Sequence, residues 1–344
     1  MIDLTQSRVL VTGGAGFIGS ALVWALNKCG CDRIVIADFL ETSEKWRNLA
    51  PLRFEDYLEA DTLLHKLSSN ALGHFSLILH MGACSSTTEQ DAAYLTRNNY
   101  EFTKQLATHA LATGTRFVYA SSAATYGDGS AGMLDTADTV ERLSHLRPLN
   151  MYGYSKQLFD MYAARQKLFD RITGLKFFNI YGPNEYHKGD MRSLVNKAYT
   201  QVLNSGEIAL FKSYRPDYAD GEQQRDFLYV TDAVSMTLHI ATHPDATGLF
   251  NIGSGQPNSW IDLATAVFHA LDKPPKIRFI EMPETLRPKY QYYTRADITK
   301  LSAAAYTTPI TPLRTAVTDY IHNYLIPNHH LGDPTPTLLK PAIK

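Results

Sequence analysis

Arg8-Val-Leu-Val-Thr-Gly-Gly-Ala-Gly-Phe-Ile-Gly19 is the stretch whose reading decides the fold. Arg8 to Thr12 is a short apolar run that predicts a buried strand. Phe17 to Cys29 has helical spacing, with Gly30 placed as a stop. Strand, glycine turn and helix in that order turn a weak glycine pattern into a strong one. Gly13 permits a tight turn, Gly16 lets backbone approach a pyrophosphate closely, and Gly19 lets helix pack against strand. The helix start then offers free N–H groups to the phosphates of a dinucleotide. Asp38 closes the next β-branched run, where a carboxylate accepts a hydrogen bond from the adenosine ribose, which favours NAD. Lys45 and Arg47 follow, and a cation there would neutralise the 2′-phosphate of NADP. The two signals conflict, and Glu41 to Arg47 also reads as an ordinary solvated loop.

Working outward, Arg33 to Ala37, Phe75 to His80 and Arg116 to Ala120 are further strand-like runs. Asp91 to Ala112 between the last two suits a long helix. Leu175 to Ile180 reads as another strand, and Asp226 to Val230 and Gly248 to Ile252 read as strands returning to the first sheet. Alternating strands and helices predict an α/β fold, a Rossmann-type doubly wound parallel sheet, with a smaller C-terminal α/β substrate domain. The expected division is 1–182 with 226–254 for the dinucleotide domain, 183–225 with 255–326 for the substrate domain, and 327–344 as a loose tail.

The 344 residues are ample for a buried core. With 44% hydrophobic and 19% charged residues, neither wholesale disorder nor a membrane span is expected. Net charge is −1, so no long-range field captures nucleic acid or an anionic membrane. Cys29, Cys31 and Cys84 do not make a disulfide framework, and the N-terminus lacks the apolar core of a signal peptide. A reducing, cytoplasmic setting is therefore expected. The histidines show no metal-ligand spacing, and no metal is expected.

Tyr152 and Lys156 stand four residues apart, on one face of a helix. A neighbouring ammonium lowers a phenol pKa, which makes tyrosine a usable base. Tyr100/Lys104 repeats the spacing, so context decides. Ser121-Ser122 supplies it for the first pair, by placing hydroxyls at the C-terminal end of a strand, where open parallel sheets bind ligands.

Together with the glycine loop, Ser121 to Gly127 and Arg225-Asp-Phe-Leu-Tyr-Val-Thr-Asp232, these segments resemble the extended short-chain dehydrogenase/reductase superfamily of nucleotide-sugar enzymes. A closer resemblance is carried by Gly82-Ala-Cys-Ser-Ser-Thr-Thr-Glu89, Ala120-Ser-Ser-Ala-Ala-Thr-Tyr-Gly127, Tyr152-Gly-Tyr-Ser-Lys156, Phe178-Asn-Ile-Tyr-Gly-Pro183 and His187-Lys-Gly189. It runs from about Arg8 to Tyr324 and is to the ADP-L-glycero-D-manno-heptose 6-epimerase family. The resemblance implies inversion at C6 of an ADP-linked heptose through transient oxidation, with tightly held NADP regenerated in each turnover. It assigns acid–base roles to Tyr152 and Lys188, a hydrogen bond to the reacting oxygen to Ser122, and the nicotinamide ribose to Lys156. Around the cofactor it puts Gly13, Gly16, Phe17, Ile18, Gly19, Asp38, Phe39, Lys45, Met81, Gly82, Ala83, Cys84, Ser85, Asn98 and Ile180, with Lys156 and Lys188. Around the nucleotide sugar it puts Asn179, Asp190, Lys197, Phe211, Lys212, Ser213, Tyr214, Arg225 and Tyr290. Arg225 suits a diphosphate, although an Arg-Asp pair at a strand start also reads as a structural ion pair. The resemblance further implies a homo-oligomer, with a pentamer as a candidate.

Several positions depart from that pattern. Phe39 replaces the usual Asn and Ala60 a common Lys, which weakens the preference for NADP and leaves NAD open. Met81 replaces Glu, Asp190 replaces Ser, and Lys197 replaces His. The run Lys212 to Glu222 is longer and more charged than usual, which leaves a related nucleotide sugar open. The competing readings are another nucleotide-sugar epimerase or dehydratase, such as a UDP-hexose 4-epimerase, and a non-catalytic NAD(P)-binding protein.

Overall fold

The computed structural model describes residues 1–136 and 138–334. Its core is a seven-stranded parallel sheet. The strand β1 (Val9–Thr12) is flanked on one side by β2 (Ile34–Asp38) and β3 (Asp56–Glu59). On the other side lie β4 (Leu77–His80), β5 (Arg116–Ser122), β6 (Ile172–Phe177) and finally Gly248–Ile252. Strand order therefore reverses between β1 and β4, and ligands of open α/β sheets bind at such a switch point. Thr12 is level with Ala37 on one neighbour and His80 on the other, so three strands end together at this crevice.

Both faces of the sheet are covered, which is why β1, β2 and β4 are buried throughout their length and read as continuous apolar runs. Val9 and Val11 point to one face, with Leu22 and Leu26 of the helix Phe17–Lys28 and Val234 of the helix Val230–Thr242. Leu10 points to the other, with Leu106, Ala110, Phe117 and Phe159. The period-two alternation of the strand sorts its side chains between two cores.

The smaller unit packs its own core from Val195, Ala198 and Val202 of the helix Leu194–Ser205, Leu263 and Val267 of the helix Trp260–Ala270, and Val317 and Tyr320. Its strands form a three-stranded and a two-stranded sheet.

The expected elements need correction in four places. Leu175 to Ile180 is split: β6 ends at Phe177, and Asn179–Tyr181 leaves the large sheet to pair with Gln224–Tyr229. Asp226 to Val230 accordingly does not return to the first sheet, whereas Gly248–Ile252 does, beside β6. Asp91 to Ala112 is Ala92–Leu95, a π-helical segment Thr96–Glu101, and Phe102–Thr113. Residues 327–333 of the expected loose tail are held in place. Leu331 is buried and donates its N–H to Asn184 Oδ1 at 2.9 Å, and Tyr186 donates its hydroxyl to the carbonyl of His329 at 2.8 Å. Residues 335–344 of that tail lie outside the described residues. Among the described residues no helix is long and apolar enough to cross a membrane, and the three cysteines are free.

Candidate active site

The crevice at the end of β1 is shaped by glycine. Gly13 has φ +66°, and a Cβ there would stand 2.6 Å from Gly82 Cα, so the loops after β1 and β4 touch backbone to backbone. At Gly19 a Cβ would overlap the Gly13 carbonyl. The helix beginning at Phe17 has Gly16 as its N-cap, with no capping side chain and no acidic residue in its first turn. A helix start left open in this way suits a phosphate group. Gly13→Ala combines a disfavoured φ with backbone overlap. It is expected to destabilise the fold by about 1–3 kcal/mol, read from the denaturant midpoint.

Asp38 is more committed than the sequence suggested. Its Oδ2 accepts the N–H groups of Ala15 and Gly16 at 2.9 and 3.1 Å, and its Oδ1 accepts Phe39 N–H at 2.7 Å and the Lys45 ammonium at 2.9 Å. All four acceptor sites of the carboxylate are thus taken, which leaves little for a ribose hydroxyl. Lys45 neutralises Asp38 and also donates to the Phe39 carbonyl at 2.8 Å. Arg47 pairs with Glu44 and lies over the Trp46 ring.

Two asparagines not singled out in the sequence tie the crevice together. Asn99, in the π-helical segment, accepts the Cys84 N–H and donates to the Cys84 carbonyl, each at 2.9 Å, and donates to Ser155 Oγ at 3.0 Å. It fixes the loop Met81 to Ser85 against the helix Met151–Arg165, and Asn98 beside it donates to Asn99 Oδ1. Asn48 donates to the carbonyls of Ala15 at 2.9 Å and Asn184 at 3.1 Å, linking the glycine loop to the turn that carries Lys188. No spacing signal connects residues so far apart in the chain.

Ser122 ends β5, and its hydroxyl oxygen accepts the Ala124 N–H at 3.1 Å. Tyr152 lies in the first turn of the helix Met151–Arg165, whose N-cap Asn150 accepts the Gly153 N–H at 2.8 Å. Burial raises the Tyr152 phenol above its ordinary value, and a hydrogen bond with Ser122 works against that rise. Lys156 is buried on the same helix, and burial pushes its ammonium down to about 8, with the Asp160 carboxylate opposing. The expected lowering of the phenol by Lys156 is not seen in the protein alone, where desolvation sets the direction and the opposing contribution comes from Ser122. Ser121 points elsewhere, donating to Asp160 Oδ2 at 2.8 Å.

Lys188 sits in the turn Tyr186–Met191, its ammonium 5.1 Å from the centre of the Phe17 ring, beside the glycine-loop helix. Burial lowers its pKa, the Glu185 carboxylate opposes that, and Lys197 adds to it. Glu185 is buried and accepts from Ser193 N–H and Oγ, both at 2.6 Å, and from Tyr320 at 3.0 Å, anchoring the turn. Lys197 donates to the Asp190 carbonyl at 3.2 Å.

Arg225 is 5% exposed and lies over the rings of Tyr290 at 4.9 Å and Trp260 at 5.7 Å, donating to the carbonyls of Gln224 and Gln291. The structural ion pair with Asp226 does not form. That carboxylate instead accepts the N–H groups of Ser254, Gly255 and Ala296 at 2.6, 2.9 and 2.8 Å. Among the described residues no carboxylate pairs with Arg225. The run after Phe211 is drawn toward the same aromatic group, with Tyr214 N–H donating to Tyr292 OH at 3.0 Å and Tyr292 packed edge-on to Tyr290. Lys212 is paired with Glu281 at 2.6 Å, Tyr214 stacks on Arg287, and Ser213 N–H donates to Asp220 at 2.7 Å. Asn179 lies within 3.5 Å of Thr294 Oγ1.

A dinucleotide cradle at the switch point of a parallel sheet, with a Ser-Tyr-Lys group at a strand end, marks a nicotinamide-dependent enzyme. Residues 9–253 match the model of the NAD-dependent epimerase/dehydratase family, and the chain belongs to that family. It is 51% identical over 317 residues, 92% of this chain and 97% of the relative, to a protein of Nitratidesulfovibrio vulgaris named ADP-L-glycero-D-manno-heptose-6-epimerase. A Fusobacterium nucleatum protein of the same name is 44% identical, covering 92% of this chain and 98% of its own. The crystal structure of the Helicobacter pylori ADP-L-glycero-D-manno-heptose-6-epimerase aligns with TM-score 0.77 and 25% identity, over 93% of this chain and 96% of that one.

Proposed function

We propose that this enzyme inverts C6 of the heptose in ADP-D-glycero-D-manno-heptose, giving the L-glycero epimer through a transient 6-keto sugar. The observation that carries this reading is Lys188, partly buried over Phe17 with its pKa lowered, as a second acid–base group in addition to Tyr152. Two acid–base groups allow the C6 oxygen to lose and regain its proton in two orientations of the sugar, and the 40–51% identity to relatives of that name supports the substrate. The glycine loop after β1, with Lys156, would hold the nicotinamide dinucleotide, which would supply reversible hydride transfer at C6. In one sugar orientation one of Tyr152 and Lys188 removes the C6 hydroxyl proton; after reorientation the other supplies a proton to the oxygen. Ser122 hydrogen-bonds the reacting oxygen, and Lys156 holds the nicotinamide ribose. A UDP-hexose 4-epimerase would use Ser122, Tyr152 and Lys156 without needing Lys188.

We read the cofactor as NADP. Lys45 neutralises Asp38, which removes the repulsion a free carboxylate would exert on a 2′-phosphate. Denaturing the purified protein and identifying the released dinucleotide tests this, and NAD alone would overturn it. Arg225 is read as the diphosphate ligand, since a buried guanidinium with no carboxylate partner keeps its charge unbalanced, and its N–H groups not held by the carbonyls of Gln224 and Gln291 are left for phosphate oxygens. Arg225→Met is expected to raise KM for the nucleotide sugar about 10- to 100-fold with dinucleotide content unchanged. By the same resemblance the working enzyme is a homo-oligomer. Comparing turnover of ADP-heptose with that of UDP-hexoses tests the substrate assignment directly.

A further inference from the structure

Beneath Ser122 and Lys156 lies a buried polar cluster that the reaction does not use. Asp160 and Lys176, 0% and 1% exposed, pair at 2.8 Å. Asp160 also accepts the hydroxyls of Tyr119 at 2.7 Å and Ser121 at 2.8 Å. Lys176 donates to Thr125 Oγ1 at 2.6 Å and lies over the Tyr126 ring. These side chains come from the helix Met151–Arg165, from β5 and β6, and from the turn Ala123–Tyr126. The same helix carries Tyr152 and Lys156, and Ser122 joins β5 to the turn. Stability alone is a poor reason to keep such a pair, because well-packed apolar residues often replace buried ion pairs at no cost. Asp160 follows Lys156 by four residues, hence on the same helix face.

We propose that the Asp160–Lys176 pair is a positioning device that locks Ser122, Tyr152 and Lys156 in register and keeps Lys156 cationic. This rests on the reading of Lys156 as the residue that holds the cofactor ribose. The titratable groups facing Lys156 are Asp160 and Tyr152 on its own helix, Cys84 from the loop after β4, and His80 from the end of β4. Burial pushes His80 down to about 3, so it stays neutral, and Asp160, ahead of Cys84, is the larger of the two groups that oppose desolvation of Lys156. Lys176 in turn holds Asp160 in place and draws on part of its charge.

The test uses the full chain with its bound dinucleotide, labelled with ε-¹³C lysine, the Lys156 resonance being identified by its loss in Lys156→Arg. Asp160→Asn is expected to lower the Lys156 titration midpoint by about one pH unit or more. Lys176→Met is expected to raise it, and Asp160→Asn/Lys176→Met to fall between. The alkaline limb of the pH profile of kcat should move in the same directions, and Asp160→Glu should restore it. A Lys156 midpoint unmoved in Lys176→Met and in the double variant would overturn the proposal, as would shifts of the same sign in both single variants. If Asp160→Asn does not fold, Lys176→Met and the double variant carry the test. Midpoints that move as stated in a protein that does not turn over ADP-heptose would overturn the functional reading instead.

Discussion

Lys188→Met is expected to lower kcat for epimerisation about a thousandfold, measured per mole of bound dinucleotide. Methionine keeps the length and the apolar stem that packs over Phe17, so the turn Tyr186–Met191, anchored through Glu185 to Ser193 and Tyr320, stays in place. What disappears is the group that exchanges a proton on one side of the sugar. Burial lowers the Lys188 pKa from its ordinary value, which brings its neutral form within reach at lower pH. As a base it becomes competent as pH rises through that pKa, so wild type should show a rising limb that the methionine variant lacks. A variant as active as wild type would remove the two-sided proton transfer and leave a mechanism resting on Tyr152 alone.

Tyr152→Phe is expected to have an effect of similar size, about 10²- to 10⁴-fold in kcat. Its phenol is buried and raised, so in the protein alone it is a neutral hydrogen-bonding group beside Ser122. Phenylalanine keeps the ring, and the N-cap through Asn150 is untouched, so thermal stability should change little. Because turnover requires both proton transfers, the Tyr152→Phe/Lys188→Met variant should be little worse than the more damaged single variant. Multiplicative losses in the double variant would show that the two groups act independently.

The sheet was legible wherever burial on both faces wrote an unbroken apolar run. Val9–Thr12, Ile34–Asp38 and Leu77–His80 are such runs. Asp56–Glu59, at the sheet edge and only partly buried, carries charged residues at both ends and gave no signal. The partition after Gly182 was harder to read. A strand that pairs in a small sheet and one that returns to the large sheet look alike along the chain, as Gln224–Tyr229 and Gly248–Ile252 do. Gly13 and Gly19 could be read because their constraint is local. Asn48 and Asn99 could not, since each joins backbone segments that only the fold brings together. The Asp38–Lys45 pair lies between: both residues were visible as candidate cofactor ligands, but their mutual neutralisation is a fact of geometry.

The most direct measurement is a proton NMR time course of the purified protein with ADP-D-glycero-D-manno-heptose in D₂O, with no dinucleotide added. Internal hydride return predicts that the L-glycero epimer accumulates with its C6 proton retained, because the hydride never exchanges with solvent. Deuterium at C6 of the product, or no epimer from a sample shown to contain bound dinucleotide, would contradict it.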